Sequence, residues 1–279
     1  MWDWDAPPIA IRRIEVPNSG FMRGQPTNCY VIGNDPVVIV DPGSEPGIEL
    51  IPQKLEEFGS PSIQSIFLTH AHPDHAIATP ELRRQLNVPV MLHPENTPIM
   101  NEHIAWTDVD VKIDPGVPLE VDGLLFDLVM TPGHAPGHVA LLERETKIML
   151  AGDLVSGNGT IGVFPPNGNM IEYMDSLYRA RDLKPSVLLP GHGPVIDDPS
   201  ALFAHYIERR LGREEQIYDL VADGGASIAD ILPVLYPDLL PEYSFPAEST
   251  ILAHLQKLEH DRRVRAPEDQ KTGIWQPRA

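Results

Sequence analysis

The sequence predicts an α/β protein with a smaller, mainly helical unit at its C-terminal end, and three observations predict it. Over residues 1–199, short apolar runs rich in β-branched residues alternate with segments of helical spacing. Four of these runs stop at loops carrying histidine or aspartate, so the side chains with chemistry collect where strands end and loops converge on one edge. From Ser200 the runs give way to three amphipathic stretches and a short closing hairpin, a winged-helix-like order. The expected division is residues 1–199 for the site-bearing part and 200–279 for the helical part.

At 279 residues the chain can bury a sizeable core, and its 42% hydrophobic content is ordinary for a soluble globular protein. Its 30 prolines fix many turns. A net charge of −19 opposes non-specific attraction to nucleic acid, whose affinity rests on Lys and Arg displacing counterions. The start, MWDWDAPPIAIRRIEV, has neither the basic and apolar blocks of a secretory signal nor the basic character of a transit peptide. No stretch approaches the ~18 uninterrupted apolar residues of a membrane span. A single cysteine, Cys29, rules out an intrachain disulfide framework and fits a reducing compartment, so the expected location is cytoplasmic.

In chain order, residues 9–16, 27–32 and 37–40 read as strands separated by Gly, Pro and Asn turn signals. The third runs into Asp41-Pro42-Gly43, where Asp41 suits either support of a nearby site from behind or a plain turn. Helical spacing of Ile48, Ile51, Leu55 and Phe58 leads to a buried strand at 65–68, which delivers the stretch THAHPDHA. Alternation in an extended segment would project His70, His72 and Asp74 to one side, with His75 following as the chain turns. Thr79-Pro80-Glu81 reads as a helix start with Thr79 as N-cap, the helix ending near Leu86. A strand at 88–92 follows; His93 and His103 stand alone, without ligand spacing.

Strands at 119–121 and 124–130 flank Asp122-Gly123, a tight-hairpin dipeptide, and the second runs into TPGHAPGH, a rigid loop presenting His134. Runs at 139–142 and 147–150 lead to Gly152-Asp153, the glycine allowing close backbone approach. A helix begins near Ile171, with Tyr173 either packing or reaching toward a site. The strand at 186–189 ends in PGHGP, which carries His192. Beyond Ser200, a long helix closes at Gly224-Gly225 and Ser227 caps a second, which Pro233 shortens. A third runs over 247–261, and Val264 with Ile274-Trp275 forms the hairpin. Acidic residues outnumber basic ones in this unit, and its third helix is poor in base-reading side chains, which argues against DNA binding.

Collected, the candidates are His70, His72, Asp74, His75, His134, Asp153 and His192. Imidazole and carboxylate donors suit zinc, with iron or manganese as substitutes, and no thiolate joins them. Seven ligands exceed one ion and suit a pair roughly 3.5–4 Å apart with one carboxylate spanning them.

With these motifs the chain resembles the metallo-β-lactamase-fold hydrolases. HxHxDH at 70–75, TPGHAPGH at 131–138, GD at 152–153 and PGHGP at 190–194 stand in that superfamily's order. Within it, Pro26-Thr27-Asn28-Cys29-Tyr30, Asp41-Pro42-Gly43, the segment 190–196, the tail at 251–259 and His138 are similar to the β-lactamase-like protein 2 branch. The resemblance implies a four-layer αββα sandwich followed by a winged-helix-like domain. It also implies one metal held by His70, His72 and His134, a second by Asp74, His75 and His192, and Asp153 bridging. Two zinc ions would lower the pKa of a bound water to about 7 and polarise the substrate, with Asp74 and Asp153 as catalytic carboxylates. The activity expected is hydrolysis of an activated carbonyl compound (thioester, lactone, ester or β-lactam). The alternatives are a metal-dependent endoribonuclease and a non-catalytic binding protein on the same fold. The partners expected are a small acyl substrate or RNA, with no DNA and no membrane.

Overall fold

The computed structural model describes residues 7–19, 24–104 and 109–278, except for the side chains of residues 103 and 242. In chain order the elements are β1 (Ile11–Val16), β2 (Thr27–Ile32), β3 (Val37–Val40), α1 (Gly47–Glu57), β4 (Ile63–Phe67), α2 (Pro73–Ala76) and α3 (Thr79–Leu86). There follow β5 (Val90–Leu92), α4 (Thr97–His103), β6 (Val111–Lys112), β7 (Leu119–Val121), β8 (Leu124–Met130), β9 (Val139–Glu143) and β10 (Ile148–Gly152). The remainder comprises α5 (Met170–Asp182), β11 (Val187–Pro190), α6 (Pro199–Ala222), α7 (Ile228–Leu235), α8 (Ser244–His260), β12 (Val264–Arg265) and β13 (Gln276–Pro277).

Two sheets form the middle of the molecule, one in the order β1 to β6 and the other in the order β11-β10-β9-β8-β7. Strands such as β3 and β11 read as unbroken apolar runs because both faces are covered. In β3, Val37 and Ile39 face a core shared with α1 and α3, while Val38 and Val40 face the core between the sheets. In β10, Ile148 and Leu150 enter that same inter-sheet core, while Met149 and Ala151 pack toward α5 and α6. Phe67 and Phe126, both fully buried, meet between the sheets. Helices therefore cover the outer face of each sheet, giving the four-layer αββα sandwich that the resemblance implied.

Helix α6 serves two cores. Phe203, Tyr206 and Ile207 pack with α5 over the second sheet, whereas Ile217 and Val221 pack with α7, α8 and the fully buried Trp275. Ser227 and Asp230 form the capping box that starts α7, as the sequence indicates. Among the described residues no helix is long and apolar enough to cross a membrane.

Three local expectations differ from the structure. Thr79 is the first helical residue of α3 rather than its N-cap, because Ala78 is already in the right-handed helical region as the chain comes off α2. Asp74 does not lie in an extended segment: His72 is extended, but Asp74 and His75 ride on the single turn α2. The closing hairpin pairs Val264 with Pro277 and Arg265 with Gln276, while Trp275 exchanges backbone bonds with Ala226 instead. The side chain of His103 lies outside the described residues.

Candidate metal centre

All seven sequence-predicted donors converge at one end of the two sheets. The first sheet supplies His70, His72, Asp74 and His75 after β4; the second supplies His134 after β8, Asp153 after β10 and His192 after β11. Donor atoms of His70, His72 and His134 lie within 4.8 Å of one another, as do those of Asp74, His75 and His192. Asp153 sits between the two groups, with Oδ2 3.4 Å from His134 Nε2 and 3.6 Å from His192 Nε2, and Oδ1 3.4 Å from His75 Nε2. Asp74 Oδ2 is 3.2 Å from His192 Nε2.

The residues behind the donors fix which ring nitrogen faces inward. His134 Nδ1 donates to the Gly162 carbonyl at 2.8 Å, and His192 Nδ1 to that of Pro26 at 3.0 Å, leaving each Nε2 lone pair toward the centre. His75 Nδ1 donates to Asp41 Oδ2 at 2.9 Å. Thr69 gives its hydroxyl proton to Asp41 Oδ2 at 2.7 Å and so can accept only from His70 Nδ1, at 3.0 Å. Of the two readings open for Asp41, the structure shows support from behind: its carboxylate also takes the Thr69 backbone N–H at 2.8 Å, so its oxygens are committed.

Burial and neighbouring charge then act on these groups together. Burial among other imidazoles keeps His70 and His134 neutral and brings His72 to about 3. For His75 and His192, burial works toward neutrality but is outweighed by carboxylates, those of Asp153, Asp41 and Asp74 for His75 and those of Asp153 and Asp74 for His192, so both rise. Burial also opposes ionisation of Asp74, but His75 and His192 hold it down at about 2; the same balance depresses Asp153. His70 Nε2 and Asp153 Oδ1 are buried without a hydrogen-bond partner. An orphaned imidazole nitrogen and an orphaned carboxylate oxygen, aimed into a cluster of five histidines and two carboxylates, fit a divalent cation better than any internal partner. Cys29 is buried away from this set in the core under the first sheet.

His138 is not among the inward-facing donors. Its Nδ1 donates to Thr131 Oγ1 at 2.8 Å and its Nε2 accepts the Asp153 backbone N–H at 3.0 Å, so it holds the strand end that presents Asp153. Gly152 passes directly over it at φ +50°, where a Cβ would sit 2.6 Å from His138 Nε2 and 2.9 Å from Thr69 Oγ1. Tyr173 takes the packing role, donating to the Leu154 carbonyl at 2.8 Å. His93 faces Glu95 at 3.9 Å and takes no part in the cluster.

Sequence reasoning missed several contributors. Thr69 and Thr131 each directly follow an apolar strand and precede a ligand loop, a signal that was available. The Gly162 and Pro26 carbonyls had none. Residues 26–30 clamp the second donor group: Thr27 Oγ1 donates to the Asp74 carbonyl at 2.8 Å, and Asn28 Nδ2 to the carbonyls of Pro190 and Gly193 at 2.9 and 2.8 Å. His72, Asp74, His134, Asp153 and His192 line a cleft of about 490 Å³. Arg209, Arg210 and Arg213 of α6 line it, together with Phe164, Leu239 and Pro246.

Comparison with known proteins agrees with this geometry. Residues 22–192 match the family described as Metallo-beta-lactamase superfamily, and residues 227–275 the Beta-lactamase associated winged helix domain. The chain is 30% identical to a Beta-lactamase-like protein 2 homolog of Caenorhabditis elegans, over 92% of this chain and 87% of that one. It is 27% identical to an Atrochrysone carboxyl ACP thioesterase of Aspergillus fumigatus, over 88% and 80%. A metallo-beta-lactamase family protein from Thermus thermophilus shares the fold with a TM-score of 0.79 at 23% identity, over 96% of this chain and 98% of that one.

Proposed function

This chain belongs to the metallo-beta-lactamase superfamily of hydrolases, and from that premise we propose that it hydrolyses an activated carbonyl compound, a thioester first among them, with two zinc ions bound. The observation that carries the reading is the placement of Asp153 between the two donor groups, with His70 Nε2 and Asp153 Oδ1 buried without a hydrogen-bond partner. His70, His72 and His134 would hold one ion, Asp74, His75 and His192 the other, with Asp153 spanning both. Iron or manganese would suit the same donors. A similarity to a protein named as a thioesterase supports the choice of carbonyl substrate.

Bound ions of this kind supply a water-derived nucleophile at neutral pH and polarise the acyl oxygen. The chain's own residues do the rest. Asp74, ionised and with 19% of its side chain exposed against 7% for Asp153, is the carboxylate open to the cleft. It orients the attacking water and relays its proton to the leaving group. Asp153, anchored through its backbone N–H to His138, keeps the two donor groups in register. Residues 1–199 would form the catalytic domain and 200–279 the winged-helix-like one, whose part is to wall the cleft through α6 and α8 rather than to bind DNA. A cytoplasmic location completes the reading, resting on the single buried cysteine.

RNA cleavage has one observation in its favour, the arginines of α6; the net charge of −19 and the apolar residues that share the cleft's lining weigh against it. Metal-loaded protein should be assayed on acyl-thioesters, lactones, a chromogenic β-lactam and single-stranded RNA, with His72→Ala as control. We expect thioester turnover that the substitution abolishes. RNA cleavage lost in the variant, without acyl hydrolysis, would overturn the first reading, and fewer than one ion per chain after reconstitution would overturn the metal pair.

A further inference from the structure

The cleft that holds His72, Asp74, His134, Asp153 and His192 has two chemically different kinds of lining, and one of them is Arg209, Arg210 and Arg213. Although acidic residues outnumber basic ones 40 to 21, no carboxylate lies within ion-pairing distance of these three guanidinium groups among the described residues. Arg210 is 5% exposed. It donates through one terminal nitrogen to the Ile161 carbonyl and to Thr160 Oγ1 at 3.1 Å, lies 5.1 Å over the Tyr173 ring, and leaves Nε buried without an acceptor. Arg213, one turn on, lies 4.6 Å over the Tyr236 ring. The acidic residue next along the helix, Glu214, is committed elsewhere: it accepts from Lys257 at 3.1 Å and faces His254 at 3.9 Å.

A buried cation without a counter-charge costs several kcal/mol relative to a paired one. Only Arg210 is buried, Arg213 being half-buried and Arg209 exposed, and packing alone gives no reason for three guanidinium groups without a carboxylate partner along one cleft. Guanidinium groups bind carboxylate and phosphate oxygens in bidentate fashion, and they do so most strongly where water is excluded. The rest of the lining includes apolar surface, from Phe164, Leu239 and Pro246 among others. The volume of about 490 Å³ falls in the small-molecule range, and the net charge of −19 repels an extended polyanion.

The geometry points to an amphiphilic substrate: an acyl compound whose negatively charged group, a carboxylate on the acyl part or a phosphate on the leaving part, is held by Arg209, Arg210 and Arg213. Its apolar portion lies against the Phe164 and Leu239 side. This assignment rests on the acyl-hydrolase reading and narrows its substrate class. Arg210 also braces the loop whose Gly162 carbonyl orients His134, so the test uses the other two arginines.

Two matched pairs of thioesters decide the matter. Succinyl against butyryl on N-acetylcysteamine tests a carboxylate; butyryl on coenzyme A against butyryl on N-acetylcysteamine tests a phosphate. The metal-loaded wild type should favour the anionic member of at least one pair by tenfold or more in kcat/KM, mainly through KM. In an Arg209→Gln/Arg213→Gln variant with an unchanged melting temperature, that ratio should collapse toward one, and Arg213→Lys alone should retain part of it. No preference in either pair, or a preference the double variant keeps, overturns the proposal. If no thioester is turned over, calorimetric titration with succinate and with coenzyme A separates the two claims. Binding lost in the double variant keeps the anion site and sinks the acyl-hydrolase reading, whereas no binding sinks both. A single-stranded RNA oligonucleotide that displaces the anionic thioester at lower concentration than coenzyme A does would overturn the proposal in favour of nucleic acid.

Discussion

Asp41→Asn changes one atom of the support behind the site, and the structure sets the size of its effect. Asp41, at the end of β3 with φ +51°, accepts three hydrogen bonds: from the Thr69 backbone N–H, the Thr69 hydroxyl and His75 Nδ1. An asparagine keeps one acceptor oxygen and places an NH2 where the other stood. If the NH2 replaces Oδ2, it confronts His75 Nδ1–H; if it replaces Oδ1, it confronts the Thr69 backbone N–H. Either way a buried donor loses its acceptor, at a cost of about 1–3 kcal/mol. Loss of a carboxylate behind a metal-binding histidine weakens metal binding by roughly 10- to 100-fold, equivalent to about 1.4–2.7 kcal/mol. The two figures agree, because the same bond orients the ring and satisfies it. Competition for zinc against a chromophoric chelator should therefore show this weakening in D41N, with the remaining activity restored by added metal. Zinc affinity within twofold of wild type, with unchanged activity, would refute the reasoning and return Asp41 to the role of a turn residue.

Gly152→Ala forces a side chain into the left-handed region, at about 1–2 kcal/mol, and presses its Cβ onto His138 Nε2 and Thr69 Oγ1; metal stoichiometry should fall and the melting temperature drop. Removing bound metal with a chelator should lower the melting temperature of wild type by about 5–10 °C, since metal at 100 times its Kd contributes about 2.7 kcal/mol and a chain of this size shifts about 2–4 °C per kcal/mol. His72→Ala should show a much smaller chelator response. For Glu214, burial opposes ionisation, but His254 and Lys257 outweigh it and keep the carboxyl below its usual range. A depressed folded pKa contributes stability above the unfolded value of about 4.5 that is lost as pH falls through the folded one. Lys257→Met should therefore lower the melting temperature at pH 7 by more than at pH 3, and a gap that widens on acidification would contradict this.

The donors were legible because each is local to a strand end. His70 through His75 come within six residues of one another, and the TPGH and PGHG loops announce themselves by glycine and proline beside histidine, the GD segment by glycine before aspartate. Strand positions were legible for a similar reason, since β3 and β10 bury both faces and read as continuous runs without a charged residue. Short elements were not: α2, α4 and β6 are set by contacts with neighbours distant in sequence, as when Arg83 and Val90 both bond to Asp110 beside β6. The arginine wall was equally hidden. In the sequence Arg209, Arg210 and Arg213 are polar positions of a long amphipathic helix with no motif around them, and only the docking of α6, with Tyr206 taking the Ser156 backbone N–H at 2.9 Å, brings them to the cleft.

Residues 26–30 show how a family signature acquires a physical meaning. The sequence offers Pro-Thr-Asn-Cys-Tyr only as a likeness, with no donor facing a metal. In the structure the Pro26 carbonyl takes His192 Nδ1–H, Thr27 takes hold of the Asp74 carbonyl, and Asn28 and Tyr30 both donate to the carbonyl of Pro190. Asp74 and His192 belong to different sheets and lie more than 100 residues apart in the chain. Their 3.2 Å approach is therefore not a property of either ligand loop alone. It requires β2 to be in register with β1 and β3, and its end to reach the loop after β11. A motif search finds the atoms that would touch metal, whereas the distance between the two donor groups is set by this third segment. The spacing of the proposed metal pair is thus a property of the folded sandwich as a whole.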